Sequence, residues 1–164
     1  MDGERSVALA ASCAAFVAVP NLGALLGPGE RTRRYDTVVT PPSYAFVVWA
    51  PIFAGAIANT VGQCLPSGRS RAVSRATGWP LAGAYAINTA WSVAAQTDRF
   101  RATPYLLPAA AACAAVAHAR VQRVGEPGTV TPVSTGLLLG WTSLAGFVNA
   151  VAVARPGRGV ATAG

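Results

Sequence analysis

Polar and apolar positions in this chain fall into long blocks and do not alternate at a short period. Charged residues gather in clusters, and the stretches 6–29, 37–68, 76–97, 102–117 and 127–154 between them carry none. A helix rises about 1.5 Å per residue and a bilayer core is about 30 Å thick, so roughly 20 apolar residues cross it. All but one of the stretches exceed that length; "ATPYLLPAAAACAAVA" is the short one, rich in alanine and carrying two prolines. The blocks predict an all-α integral membrane protein built as a five-transmembrane-helix bundle. Its helices are expected near 6–26, 43–65, 77–97, 103–120 and 132–154, as one domain over 1–155 followed by a flexible tail, 156–164. A secretory signal is the rival reading of the first block. Its start sets Asp2 and Glu4 against Arg5, and its apolar run is long for a signal core, so a spanning helix is expected.

Prolines mark helix starts. Pro42 after Thr40 and Pro132 after Thr131 suit first helical turns, where a missing N–H leaves nothing unpaired. Pro51 and Pro108 lie deeper and are expected to kink their helices, freeing carbonyls and, at Pro51, opening space beside Trp49.

Composition agrees with the blocks. Of 164 residues, 52% are hydrophobic and 12% charged, against about 25% charged in soluble domains. The net charge of +7 comes from arginine alone among the basic residues, spread over every loop and both ends with no basic stripe. That pattern argues for anionic lipid headgroups and against nucleic acid. Five helices would place six arginines on one side and seven on the other, which leaves orientation open. Cys13, Cys64 and Cys113 lie in apolar segments and read as small core residues. His118 has no second histidine or carboxylate beside it, so no metal site is expected.

The blocks hold no acid or base, which argues against proton relays and against an activated nucleophile. No catalytic residue and no required cofactor are expected. What remains inside is tryptophan, asparagine and tyrosine. Trp79 fits an interfacial belt, whereas Trp49, Trp91 and Trp141 lie deeper. Tyr85, Asn88 and Trp91 share a helix face; Trp141, Ala145 and Asn149 run along another, and Phe46, Trp49 and Phe53 form a comparable stripe. Two readings stay open: rings and asparagines that glue helices together, or a ligand site lined by aromatics with a few polar fixtures. Gly136 and Gly140 form G-x-x-x-G, which permits close helix approach within the bundle or in a homodimer.

The segments "TPPSYAFVVW", "NTAWS" and "WTSLAGFVN" occur in that order on the second, third and fifth predicted helices. With them the chain resembles the TspO/MBR family of tryptophan-rich sensory and translocator proteins, in a divergent bacterial form. Trp141, Ser143, Ala145 and Asn149 match the family's Trp-x-Ser-x-Ala-x-x-x-Asn spacing. Phe46 and Trp49 stand three apart where the best-known members have four, and "VNAVAVAR" lacks the tyrosine of the cholesterol-recognition pattern. The resemblance implies a multi-pass protein of the bacterial cell membrane that binds porphyrin, haem or related planar hydrophobic ligands, for sensing, regulation or transport. It also implies a homodimer. By position the ligand would meet Trp49, Asn88, Trp91, Trp141, Ala145 and Asn149. The alternatives are photo-oxidative porphyrin breakdown with an indole as redox partner, and a structural membrane protein without a small-molecule ligand.

Overall fold

The computed structural model describes residues 2–26, 43–97 and 99–154. The helix start expected at Thr40–Pro42 and the tail at 156–164 lie outside them. Within them the chain forms α1 (Asp2–Leu26), a 3₁₀ segment (Ser43–Val48) running into α2 (Trp49–Cys64), and α3 (Ala72–Gln96). A 3₁₀ turn (Phe100–Ala102) leads into α4 (Thr103–Val121), and α5 (Val130–Ala154) closes the series. Each expected helix is present. α1 and α3 start several residues early, because uncharged blocks mark apolar length whereas helix winding continues through the flanking polar residues. In α1 those residues are Asp2 and Glu4, acids that suit the positive end of the helix dipole.

Pro51 corrects one expectation. It occupies the first turn of α2, so no helix interior is broken there. Lacking an N–H, Pro51 cannot donate to Val47 in an α pattern, and the residues before Trp49 take the tighter 3₁₀ winding. Pro108 does lie inside α4, as Pro20 and Pro80 do inside α1 and α3. Pro132 falls in the first turn of α5, but Thr131 is itself helical and its hydroxyl reaches across to α2.

The main packing runs in a closed ring: α1 against α2, α2 against α5, α5 against α4, α4 against α3, and α3 back against α1. Spacing explains the inward faces. Leu9, Cys13 and Phe16 repeat at four and three residues on α1; Thr103, Leu107, Ala110, Ala114, Ala117 and Val121 do so along all of α4. The alanines of α4 allow close approach to its neighbours, and Gly146 of α5 sits against Leu107 and Pro108.

Polarity is turned inside out. Thr77, Asn88 and Ser92 of α3, with Ser134, Thr135, Thr142 and Asn149 of α5, are buried. Val133, Leu144 and Phe147 of α5, with Ile57 and Val61 of α2, face outward. The buried groups avoid much of the usual penalty by bonding back along their own helices, as Thr142 Oγ1 does to the Leu138 carbonyl at 2.8 Å and Asn149 Nδ2 to that of Ala145 at 2.9 Å. Among the described residues, three segments are long and apolar enough to cross a membrane: Asp2–Leu26, Tyr44–Cys64 and Val130–Ala154. α3 has the length without the apolarity, because its polar residues line its broad buried face.

Arg5 revises the picture of wholly peripheral arginines. It is the fourth residue of α1 and is buried, with its stem against Gly78, where a Cβ would come within 2.5 Å of Arg5 Cδ. Its guanidinium donates to Asp2 Oδ1 at 2.7 Å and to the Arg69 carbonyl. Arg75 completes the cluster at 3.2 Å from the other Asp2 oxygen. This fastens the start of α1 to the α2–α3 connection.

Candidate functional site

The aromatic residues of α1, α2, α3 and α5 meet in one continuous wall. The Tyr85 ring of α3 stacks on Phe16 of α1 with centroids 5.0 Å apart and planes 16° from parallel. Phe16 then turns its neighbours edge-on, meeting Phe53 at 5.2 Å and Trp49 at 5.8 Å. Trp49 and Phe53, one helical turn apart on α2, stack at 5.1 Å. Trp49 reaches Trp141 of α5 at 5.7 Å and 74°, and Phe46 closes on the same Trp141 at 6.0 Å. Offset and edge-to-face contacts of this kind suit the ring quadrupoles, which disfavour face-to-face overlap.

Trp49, Phe46, Tyr85 and Trp141 are thus brought together. Trp91 stands in a different contact: it is buried on α3, and its Nε1 lies 3.4 Å from Asn149 Oδ1 on α5. That distance is long for a hydrogen bond. Asn88 is buried one turn before Trp91 and donates to the Ala84 carbonyl at 2.9 Å. Ala145, half-buried, lies between Trp141 and Asn149 along α5. Gly136 belongs to the bundle itself, since a Cβ there would meet His118 of α4 at 3.5 Å. Gly140 faces open space. The two glycines therefore do not form one contact strip.

Besides the Tyr85 hydroxyl, two polar atoms of the region are orphaned. Among the described residues, Trp141 Nε1 is buried without an acceptor, and Asn88 Oδ1 is buried without a donor. Buried polar groups are nearly always paired, and these atoms are exceptions to that rule.

Phe16 was not among the expected site residues, although it touches Trp49, Phe53 and Tyr85. The signal available was the spacing of Leu9, Cys13 and Phe16 on one face of α1. Trp79 is 52% exposed, as a belt residue would be. His118 Nδ1 lies 2.9 Å from Thr135 Oγ1, a contact between α4 and α5. Among the described residues no group of histidine, cysteine and acidic side chains is arranged to hold a metal.

No curated protein and no solved structure matches this chain. A family model does, over residues 7–157, which takes in all the segments that suggested the resemblance. The chain belongs to the TSPO-like protein family.

Proposed function

We propose that all five helices span the bilayer and that the aromatic wall binds a planar hydrophobic ligand of the porphyrin or haem class, in sensing, regulation or transport. One observation carries the reading. Trp49 and Trp141 present touching rings from two helices while the Trp141 indole N–H is buried with nothing to accept it. A flat ligand with acceptor groups at its edge supplies both a stacking partner and the missing acceptor. Asn88 and Asn149 are the polar fixtures that would orient such an edge. The proposed spanning of α3 and α4 is supported by their packing: α3 turns Thr77, Tyr85, Asn88 and Ser92 inward, and α4 lies between α3 and α5.

α2 is the helix best suited to admit a ligand. It lies between α1 and α5, and its 3₁₀ start, with poorer hydrogen-bond geometry than an α-helix, adjoins Trp49. The test is a titration of detergent-solubilised protein with protoporphyrin, following the porphyrin absorption band. A saturable shift at stoichiometric protein is expected, whereas a purely structural protein gives none. Illumination of the bound complex separates binding from chemistry: binding alone leaves the porphyrin spectrum intact, and breakdown produces a new chromophore.

A further inference from the structure

The end of the bundle remote from the 3₁₀ start of α2 holds a second buried feature that the aromatic wall does not use. Asn59 and Gln63, one turn apart near the end of α2, face Thr77 of α3 and Thr131 of α5. Gln63 Nε2 donates to Asn59 Oδ1 at 3.1 Å and to Thr77 Oγ1 at 2.9 Å, and Thr131 Oγ1 donates to the same Asn59 oxygen at 2.7 Å. These side chains are between 0 and 7% exposed. The Tyr85 hydroxyl points into the group beside Asn59, Thr60 and Ser134, and the Cys13 thiol lies next to Thr60.

This network is incomplete. Among the described residues, Asn59 Nδ2, Thr60 Oγ1, Gln63 Oε1 and Tyr85 Oη are buried without a hydrogen bond of normal geometry, although the Tyr85 hydroxyl and the Cys13 thiol lie close to Thr60. Turning both amides over exchanges the orphaned atoms without reducing their number, since one amide face of each residue is already engaged by its neighbours. The unmet groups comprise a donor, an acceptor and two hydroxyls that serve as either. Among the described residues no carboxylate belongs to the network, and the guanidinium of Arg5 is held by Asp2 and the Arg69 carbonyl.

We propose that this cluster is a second binding site, for a small uncharged molecule that donates and accepts hydrogen bonds through hydroxyl groups: water, or a polyol of glycerol size. A buried water typically makes about three hydrogen bonds, so one or two such molecules satisfy the orphaned atoms. The site is independent of the porphyrin reading. It meets the aromatic wall at Tyr85, whose ring lies on Phe16 while its hydroxyl belongs to the polar network.

Water-edited solid-state NMR on the isotope-labelled full chain in lipid bilayers tests this. Magnetisation is transferred from water to the side-chain amides of Asn59 and Gln63, with the backbone amides of Ala110 and Ala114 as dry references. Transfer to Asn59 faster than to the alanines identifies water as an occupant. Transfer from glycerol carbon-bound protons, in deuterated water, identifies a site open to solute. Absence of both overturns the proposal. A Thr60→Val, Gln63→Leu double variant is expected to lose the transfer at Asn59. Retention of the full signal in that variant would assign the hydration to other residues and also overturn the proposal.

Discussion

The Trp49 ring of α2 meets the Trp141 ring of α5 edge to face, with centroids 5.7 Å apart. These residues are 92 positions apart in the chain, and their contact joins the two helices that close the ring of five. It makes α2 and α5 one wall, with Phe16 of α1 and Tyr85 of α3 behind it.

Phe16 is the packing centre of that wall, touching Trp49, Phe53 and Tyr85. Removing a buried aromatic ring costs about 3–5 kcal/mol in well-packed cores. Phe16→Ala is expected to lower the thermal midpoint of solubilised protein far more than Phe147→Ala, whose ring faces outward. Equal effects of the two substitutions would refute the packing described.

Gly78 is expected to resist substitution because of Arg5. A Cβ there meets the Arg5 stem at 2.5 Å, so Gly78→Ala forces the side chain away from the Arg69 carbonyl. Overpacking of this kind costs about 1–3 kcal/mol. Shortening the arginine first, in Arg5→Ala, should make the glycine substitution nearly neutral. Strictly additive effects in the double variant would show that the two residues do not touch.

Trp91 and Asn149 form a contact apart from the Trp49–Trp141 pair. Trp91→Phe keeps a ring and removes the N–H that lies 3.4 Å from Asn149. A net hydrogen bond contributes about 1 kcal/mol, and this long one should fall at or below that. Thermal denaturation is expected to show a small loss, with Trp49 and Trp141 fluorescence unchanged. A large spectral change would place Trp91 in the same contact as the other two.

The G-x-x-x-G pair is expected to split. Gly136→Leu pushes against His118 and should destabilise the bundle, whereas Gly140 has open space around it. Gly140→Leu should therefore leave the monomer fold intact. Cross-linking in bilayers would then read whether a homodimer uses that face: loss of the cross-linked species in this variant places Gly140 at the contact.

The helices were legible in the sequence because a membrane-length block without charge has few alternatives. The meeting of Trp49, Trp141 and Tyr85 in one aromatic cluster was legible because large rings on separate helices at depth need partners. Phe16 was not, since its spacing from Leu9 and Cys13 marks a buried helix face without saying what that face meets. Asn59 and Gln63 were equally silent, because their role comes from facing Thr77 and Thr131 on other helices. Arg5 read as a charge of the chain's starting segment because Gly78, the residue that makes room for it, lies 73 positions later. Pro51 misled for a local reason: a proline deep in an apolar block lies in a first turn when a 3₁₀ segment precedes it.

The measurement that bears most directly on the ligand wall is protoporphyrin binding by the full chain in detergent, compared among Trp49→Phe, Trp141→Phe and Trp79→Phe. Phenylalanine keeps an aromatic face but removes the larger indole and the Trp141 N–H. Losing an aromatic contact or a hydrogen bond costs about 1 kcal/mol each, or roughly 5-fold in affinity. The account predicts that Trp49→Phe and Trp141→Phe weaken binding by about 5- to 10-fold on that scale, while the exposed Trp79→Phe binds as the parent does. Unchanged affinity in both wall variants, or an equal loss in all three, would contradict it.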